Sequence, residues 1–468
     1  MSADARRSKV AELPVQCYTH FKMVRSYFID TMGCQMNERD SETVAGIVEQ
    51  LGYCPTHDPK QADFIALNTC AVRAKPQHKV FSKLGELHRI KEQRPGTIIA
   101  VLGCVAQVAA TEIARRAPYV DIIMGPRNYS HLAEAITSAQ AQSNDGPVII
   151  TDTTEVIPEG LPTARTTPIS SYVNVTYGCN NFCAYCIVPY ARGRQQSRTP
   201  EQVISEVEQA VANGHQEVTL LGQNVNSYGE DLSESCDFAD LLTELNQIEG
   251  LKRIRFTTSH PKDLSLKLLD AMAKLPKVCE HLHLPIQSGD DEVLARMGRG
   301  YTYEHYRRVV EAARERMPQI SITTDVIVGF PGETKEQFNN TLQAFREIRF
   351  DQAFMFKYSD RPGTRAARMN NKVPEEVKQQ RLEQLIACQN EIARQINEKL
   401  VGTTFAVLVE GRDAKSPEKV RGRTRTNKIV IFPGGSSLLG QIVKVKAQQA
   451  FLWGFLGEIV PAVRARAS

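Results

Sequence analysis

A chain of 468 residues has room for two to four domains at about 100–200 residues each. Its 42% hydrophobic and 24% charged content excludes a disordered polymer, and no apolar run approaches the ~20 residues a bilayer span needs. The net charge of +4 is unevenly spread: after position 400 there are 11 Lys/Arg against 4 Asp/Glu, a net of +7, which leaves the first 400 residues at −3, so a polyanion is the expected partner of the C-terminal part.

Met1 to Pro14 mixes Arg6, Arg7 and Lys9 with Asp4 and Glu12 and lacks an apolar stretch, so it does not read as a secretory signal. Eleven cysteines are an odd number spread over a long chain, which fits a reducing, cytoplasmic setting better than a disulfide framework. Val24 to Ile29 reads as a strand and Thr31 to Asn37 as a turn. Glu38 to Leu51 carries Val44, Ile47, Val48 and Leu51 at helical spacing, closed by Gly52. The unit recurs: Asp63 to Leu67 runs into Asn68-Thr69-Cys70, and Ile98 to Leu102 runs into Gly103-Cys104. Val120 to Met124 and Val148 to Ile150 are further strands. Alternating strands and helices predict a doubly wound parallel sheet whose strand C-ends form the binding crevice. Cys34, Cys70 and Cys104 each follow such a strand end. Each alone reads as a small turn residue; three in register could hold a metal cluster.

Between Ile150 and Ser170 the chain is rich in Thr and Pro, a linker. Ser171 to Thr176 then delivers the loop Tyr177-Gly178-Cys179-Asn180-Asn181-Phe182-Cys183-Ala184-Tyr185-Cys186. Its C-x3-C-x2-C spacing can gather three thiolates, which favour zinc or an iron-sulfur cubane. Structural zinc closes with four protein ligands, and Ile187 to Arg198 offers neither Cys nor His. Three cysteines on a cubane leave one iron for a small molecule. After the loop come Thr199-Pro200-Glu201, a helix start running to Ala212, and strands at Val218 to Leu221, Arg253 to Thr257, His281 to Ile286 and Ser321 to Val328. They predict a full or partial (β/α) barrel with its site at the strand C-ends. Arg192 and Arg194 are candidates to face a cluster or RNA, or to form a salt bridge at the helix entry. Pro374 to Leu400 is helical, and Thr404 to Glu410, Lys428 to Phe432, Gln441 to Ala447 and Phe451 to Val460 are strands of a small antiparallel barrel of OB-like size. Arg421, Arg423, Arg425 and Lys428 form a basic edge, either a solvated loop or an RNA platform. Cys17, Cys54, Cys236, Cys279 and Cys388 have no comparable partners and read as structural or incidental.

The cysteine loop, with Tyr185 before its last cysteine, resembles the signature of radical S-adenosylmethionine (SAM) enzymes. That resemblance implies a six-stranded partial (β/α) barrel, a 4Fe-4S cluster on Cys179, Cys183 and Cys186 whose open iron chelates SAM, and SAM contacts from Tyr185, Gly222, Gln223 and Asp325. The last three lie in the strand-end loops Leu220 to Gly229 and Asp325 to Glu333, which with Leu284 to Gly289 would otherwise read as plain turns. From about Val24 to about Val460 the chain resembles the methylthiotransferases, whose order is an N-terminal three-cysteine domain (24–150 here), a radical SAM domain (165–397) and an RNA-binding TRAM domain (398–463). Gly33-Cys34-Gln35-Met36-Asn37, Asn68-Thr69-Cys70-Ala71-Val72-Arg73, Gly103-Cys104-Val105-Ala106-Gln107, Leu221 to Gly229 and Phe356 to Thr364 are similar to the tRNA-modifying MiaB branch.

This resemblance implies a methylthio group added at C2 of N6-isopentenyl-adenosine at tRNA position 37. It implies two 4Fe-4S clusters, the second on Cys34, Cys70 and Cys104, and two SAM molecules per turnover, one a methyl donor and one a radical source. The implied partners are a tRNA anticodon stem-loop, a flavodoxin-like or ferredoxin-like electron donor and a sulfur donor. An unactivated aromatic C–H has neither an acidic proton nor a leaving group, which is coherent with radical attack. Relatives acting on N6-threonylcarbamoyl-adenosine or on a ribosomal-protein Asp are the nearest rivals. A non-catalytic electron carrier should hold each cubane by four cysteines rather than three.

Overall fold

The computed structural model describes residues 25–72, 74–141, 146–152 and 158–461; the expectations for Met1 to Pro14, Cys17 and Arg73 lie outside them. The first unit runs β1 (Arg25–Met32), α1 (Gln35–Gln50), β2 (Tyr53–Pro55), β3 (Phe64–Thr69), α2 (Ala74–Gln93), β4 (Ile98–Gly103), α3 (Cys104–Arg116), β5 (Ile122–Met124), α4 (Leu132–Ala141) and β6 (Val148–Ile150). Its six strands are all parallel, in the order β2-β1-β3-β4-β5-β6. β3 and β4 are apolar and buried along most of their length because both faces are covered. Ile65, Leu67, Ile99 and Val101 pack on one face with Val80 and Leu84 of α2, and Phe64, Ala66, Ala100 and Leu102 on the other with Val44, Ile47 and Val48 of α1. Strand order across the sheet reverses between β1 and β3, which makes that point the crevice for a ligand.

The second unit continues through β7 (Ser170–Asn174), β8 (Thr176–Tyr177), α5 (Val188–Arg192), β9 (Gln196–Ser197), α6 (Pro200–Ala212), β10 (Glu217–Leu221), α7 (Phe238–Gln247), β11 (Arg253–Phe256), α8 (Leu266–Lys274), β12 (His281–His283), α9 (Asp291–Met297), α10 (Tyr303–Arg316), β13 (Ser321–Val328), α11 (Lys335–Ile348) and β14 (Gln352–Lys357). Two three-stranded parallel sheets, β11-β10-β7 and β12-β13-β14, make a six-stranded partial barrel, bridged between Ile254 and Val278. Five of these strands are legible in the sequence; β14, the sixth, is not. β12 is shorter than the reading His281 to Ile286, because the chain turns out of the sheet after His283. Outward-facing Val218, Leu220, Ile254, Leu282, Ile322 and Val326 bury against Val203, Val207, Leu242, Leu269, Phe338 and Phe345 of the surrounding helices, each side chain contributing roughly 1.5–3 kcal/mol.

Helix α12 (Glu375–Glu398) leads to a closed barrel of β15 (Thr404–Arg412), β16 (Lys419–Arg423), β17 (Ile429–Pro433), β18 (Ile442–Phe451) and β19 (Gly454–Ile459), ordered β15-β16-β17-β19-β18. Its pairs are antiparallel except β17–β19, which is parallel. The basic run expected as an edge loop belongs partly to β16, with a tight turn at Thr424 to Lys428.

Ionic contacts fix the units to one another. Glu206 of α6 receives Arg39 of α1 at 3.0 Å, Arg165 at 3.0 Å and Arg198 at 2.5 Å. At the N-terminal end of the barrel, Arg253 donates to the carbonyls of Arg423 and Ala406, and Arg255 to those of Thr424 and Arg425. The small barrel therefore plugs the floor of the larger one. The opposite end, where the strand C-termini lie, is left to the first unit.

Candidate cluster and SAM site

The cysteine loop leaves β8 through Gly178, whose φ of +70° and whose closeness to the Arg194 carbonyl, 2.1 Å from where a Cβ would sit, admit only glycine. Backbone N–H groups of Asn181 and Val188 point at the sulfurs of Cys179 and Cys186, each at 3.5 Å. Arg299 Nη1 donates to Cys183 Sγ at 3.4 Å and to the Tyr185 hydroxyl at 3.4 Å. Burial first, then the neighbouring Cys183 thiol, push Cys186 up to about 12, and burial raises Cys179. Metal-free, Cys179 and Cys186 are therefore held as thiols, and a metal must displace those protons to bind.

Arg299 escapes the sequence reading. It is 5% exposed, and its remaining partners are the Pro285 carbonyl at 3.0 Å and the Tyr301 hydroxyl at 3.2 Å. None of its partners is a carboxylate. A buried guanidinium held only by neutral groups and a thiol is costly, and it suits an anionic occupant beside Cys183.

Above the strand ends, several buried polar atoms have no hydrogen-bond partner: Asn174 Oδ1, Thr176 Oγ1, Gln223 Oε1, Ser259 Oγ, His260 Nε2 and Gln287 Oε1. They come from the C-end of β7, from β8 and from the loops that follow β10, β11 and β12, and an unpartnered buried polar atom is one a polar ligand could satisfy. Burial, then the charge of Arg299, lower His260 to about 2, which keeps it neutral; its Nδ1 accepts the Lys262 N–H at 3.3 Å, so Nε2 carries the free proton. Thr258 and Gln287, both non-glycine, adopt left-handed backbone here, as strained residues at binding sites often do. Of the residues expected to touch SAM, Tyr185 is beside the cysteines, while Gly222 packs on Thr176, whose Oγ1 lies only 2.4 Å from where a Cβ would sit. Gln223 contributes one of the unpartnered oxygens. Asp325 points into the barrel, 3.4 Å from His283 Nε2.

The other cysteines meet at the crevice of the first sheet. Cys34 is the N-cap of α1, Cys70 directly follows β3, and Cys104 opens α3. A hydrogen bond from the Cys70 thiol, outweighing burial and aided by Arg192, lowers Cys34 to about 6; Cys104 is raised by burial. The turn carrying Cys34 is locked by Asn37 Nδ2 donating to Asn68 Oδ1 at 3.1 Å and by Asn68 Nδ2 donating to the Asn37 carbonyl at 2.9 Å. Gly103, at φ +86°, keeps its Cα against Asn68, where a Cβ would lie 2.3 Å from Oδ1.

Arg192 ties the segment after the cysteine loop to the first unit. It ends α5, directly after the cysteine loop; its Nε donates to Cys104 Sγ at 3.3 Å and its Nη2 to Asp40 Oδ2 at 2.5 Å. Both ends of this ion pair are 4% exposed. The sequence leaves Arg192 between facing a cluster, facing RNA and a salt bridge at the helix entry; it contacts Cys104, and its salt bridge is with Asp40 of the first unit rather than at the helix entry. Arg194 is exposed instead, 5.2 Å from the Phe182 ring. A second tie, Arg361 Nη2 to the Val72 carbonyl at 3.0 Å, joins the loop after β14 to the Cys70 loop.

Among the described residues, no group of three or more His, Cys, Asp or Glu side chains is arranged to hold a single metal ion. Cys54 lies in β2, and Cys236, Cys279 and Cys388 lie in the second unit and α12, outside both trios.

The basic strip is placed largely at the unit interface. Lys428 is buried on Asp351 at 2.6 Å and Asn397 at 2.9 Å. Arg425 grips Glu280 at 2.7 Å and the Pro276 carbonyl at 2.8 Å, and Arg423 pairs with Glu410 at 3.2 Å. Arg421 alone of the four is exposed.

Three family profiles match the chain: Uncharacterized protein family UPF0004 over residues 26–125, the Radical SAM superfamily over 173–345 and the TRAM domain over 398–460. The tRNA-2-methylthio-N(6)-dimethylallyladenosine synthase of Carboxydothermus hydrogenoformans is 47% identical over 438 residues, 93% of this chain and 99% of its own. That of Syntrophomonas wolfei is 48% identical over 434 residues, 92% of this chain and 97% of its own. Among solved structures, the radical SAM methyltransferase TsrM of Kitasatospora setae, with cobalamin and a [4Fe-4S] cluster bound, shares the fold at a TM-score of 0.53 and 15% identity, covering 85% of this chain and 81% of that one. With a parallel-sheet unit, a six-stranded partial barrel and a TRAM barrel in sequence, and with such relatives matched almost end to end, the chain belongs to the radical SAM family of tRNA-2-methylthio-N(6)-dimethylallyladenosine synthases.

Proposed function

We propose that this protein is the methylthiotransferase that places a methylthio group on C2 of N6-isopentenyl-adenosine at position 37 of tRNA. The observation that carries this reading is Arg192, which follows the cysteine loop directly and reaches across to Cys104 and Asp40 of the first unit. Cys179, Cys183 and Cys186 would hold the radical SAM cluster, and Cys34, Cys70 and Cys104 a second 4Fe-4S cluster. When bound, the clusters and two SAM molecules per turnover supply the radical and the methylated sulfur that an unactivated aromatic C–H requires.

The side chains do the positioning. Arg299 sets a fixed positive charge beside Cys183 and Tyr185, suited to a cluster or a SAM carboxylate. Gln223, Ser259, His260 and Gln287 offer polar atoms to SAM at the strand ends, while Gly222 keeps the backbone close behind them. Asp325 stands deeper in the barrel beside His283, within reach of a hydroxyl or amino group of a ligand filling it. Arg421 is the member of the basic strip left to meet phosphate; Arg425 and Lys428 serve the RNA indirectly by seating the TRAM barrel, and Arg423 pairs within that barrel with Glu410. A flavodoxin-like or ferredoxin-like protein would deliver electrons and a separate donor would restore sulfur, in the cytoplasm where tRNA is modified. No helix among the described residues is long and apolar enough to cross a membrane.

The test is anaerobic turnover of the reconstituted protein with SAM, a reductant and anticodon stem-loops carrying either isopentenyl- or threonylcarbamoyl-adenosine, read by nucleoside mass spectrometry. A methylthio product from the isopentenyl substrate and 5'-deoxyadenosine are expected. A product from the threonylcarbamoyl substrate alone, or none from either, would refute the reading.

A further inference from the structure

The strands of the large barrel present an inner face that is polar through most of its depth, with Leu221 and Ile327 near the strand C-ends. Side-chain alternation sends Glu217, Arg255, His281, His283, Thr323 and Asp325 inward, while the intervening residues join the helix-facing core. β14 departs from this. Its Ala353 and Met355 pack outward against the core, and its inward positions are Gln352, opposite Thr323, and then Phe354 and Phe356, 43% and 38% exposed. Among the described strands of the large barrel they are the two exposed large apolar side chains. In register, Phe354 lies opposite Asp325 and Phe356 opposite Ile327; the His283 ring meets Phe354 edge-on at 6.0 Å.

Two phenylalanines on an open inner face forgo burial that an apolar ligand could supply. Their place limits what that ligand is. β14 ends the second sheet, on the open side of the barrel, and the loop that follows it reaches the Cys70 loop through Arg361. The aromatic pair therefore lies on the edge strand whose following loop reaches the Cys70 loop.

We infer that Phe354 and Phe356 cradle the N6-isopentenyl group of the substrate adenosine and so select prenylated tRNA. This rests on the function proposed above. On the purine ring, C2 and the N6 substituent project in different directions, so a base offering C2 to the cysteine-bearing loops directs its five-carbon chain away from them, along the inner face. That chain makes no hydrogen bonds, and β14 is where the barrel strands offer it exposed apolar contact. A threonylcarbamoyl group, with its carboxylate and amides, would leave those groups unsatisfied against the two rings.

The experiment compares binding of two stem-loop RNAs, identical except for the isopentenyl group, to the reconstituted holoenzyme with SAM. In hydrophobic pockets a single methylene is worth about 10- to 200-fold, so the wild type should prefer the prenylated RNA at least about tenfold. Phe354→Ala/Phe356→Ala should bring the two affinities to within about twofold by weakening the prenylated RNA alone, and Phe354→Leu/Phe356→Leu should keep most of the preference. The inference is overturned if the Ala pair keeps the wild-type preference, or if the Leu pair loses as much as the Ala pair. Should the Ala pair not fold, Phe356→Ser alone, on the exposed face, must lower the preference or the inference fails. Product formation by the wild type on the prenylated RNA is scored separately, so a failure of the proposed reaction is not mistaken for a failure of the cradle.

Discussion

Replacing Arg192 by Met tests the contact that ties the segment after the cysteine loop to the first unit. Arg192 and Asp40 are each 4% exposed, so the substitution leaves a carboxylate buried without its cation. Breaking a buried pair from one side costs about 3–5 kcal/mol. Burial already raises the Asp40 carboxyl, with Arg192 opposing that rise; once Arg192 is gone the group protonates, which puts the expected loss near the lower end, about 3 kcal/mol. Neutralising both ends in Arg192→Met/Asp40→Asn should recover most of it, since no bare charge remains. Calorimetry of the metal-free protein is the assay. At roughly 2–4 °C per kcal/mol for a unit of this size, the single variant should melt about 6–12 °C lower, with the double variant closer to wild type. A single variant melting with wild type, or two additive single effects in the double, would show that the pair does not couple the units. With the iron restored, the single variant also loses the N–H donor to Cys104, so the second cluster's reduction potential should fall.

Gly103→Ala and Gly178→Ala place a Cβ against Asn68 Oδ1 and the Arg194 carbonyl at positive φ; each should lose about 1–3 kcal/mol and the iron of its own trio, checked by iron analysis, and normal iron in either would contradict the reasoning. Arg421→Ala should weaken RNA binding and reduce the magnitude of the slope of log affinity against log salt by about 1, whereas Lys428→Met should chiefly lower the melting temperature by leaving Asp351 unpaired; the reverse pattern would return the RNA role to the buried strip. For Glu206, burial alone would raise the carboxyl, but Arg39, Arg198 and Arg165 outweigh it and hold it at about 2. A depressed folded-state value stabilises the fold above the unfolded value of about 4.5, and that contribution drains away as pH falls toward 2. Glu206→Gln should remove this portion of the acid sensitivity, and unchanged acid melting curves would rule the network out as its source.

Much of the candidate site can be read from the chain because its signals are local. Cys34, Cys70 and Cys104 each follow an apolar strand, and the parallel order puts those strand ends side by side. The spacing within Cys179 to Cys186 needs no tertiary information at all. What escapes is what depends on distant partners. Arg192 finds Asp40 from 152 positions away, and Arg299 finds Cys183 from 116. Lys428 reads as a surface cation because Asp351 and Asn397, which bury it, belong to other elements. β14 is hard to see because Gln352 to Lys357 exposes aromatic residues where an ordinary strand would place polar ones, and β16 because Lys419 to Arg423 reads as a charged loop until its pairing with β15 and β17 is seen.

The account depends on each trio gripping its own cubane by three corners, and iron and acid-labile sulfide in the anaerobically purified protein measure that directly. Wild type should carry about two 4Fe-4S equivalents per chain. Alanine at Cys34, Cys70 and Cys104 together should leave about one, and alanine at Cys179, Cys183 and Cys186 together should leave the other. If either triple replacement kept both clusters, or the wild type held only one, the pairing of clusters across the Arg192 contact would be wrong.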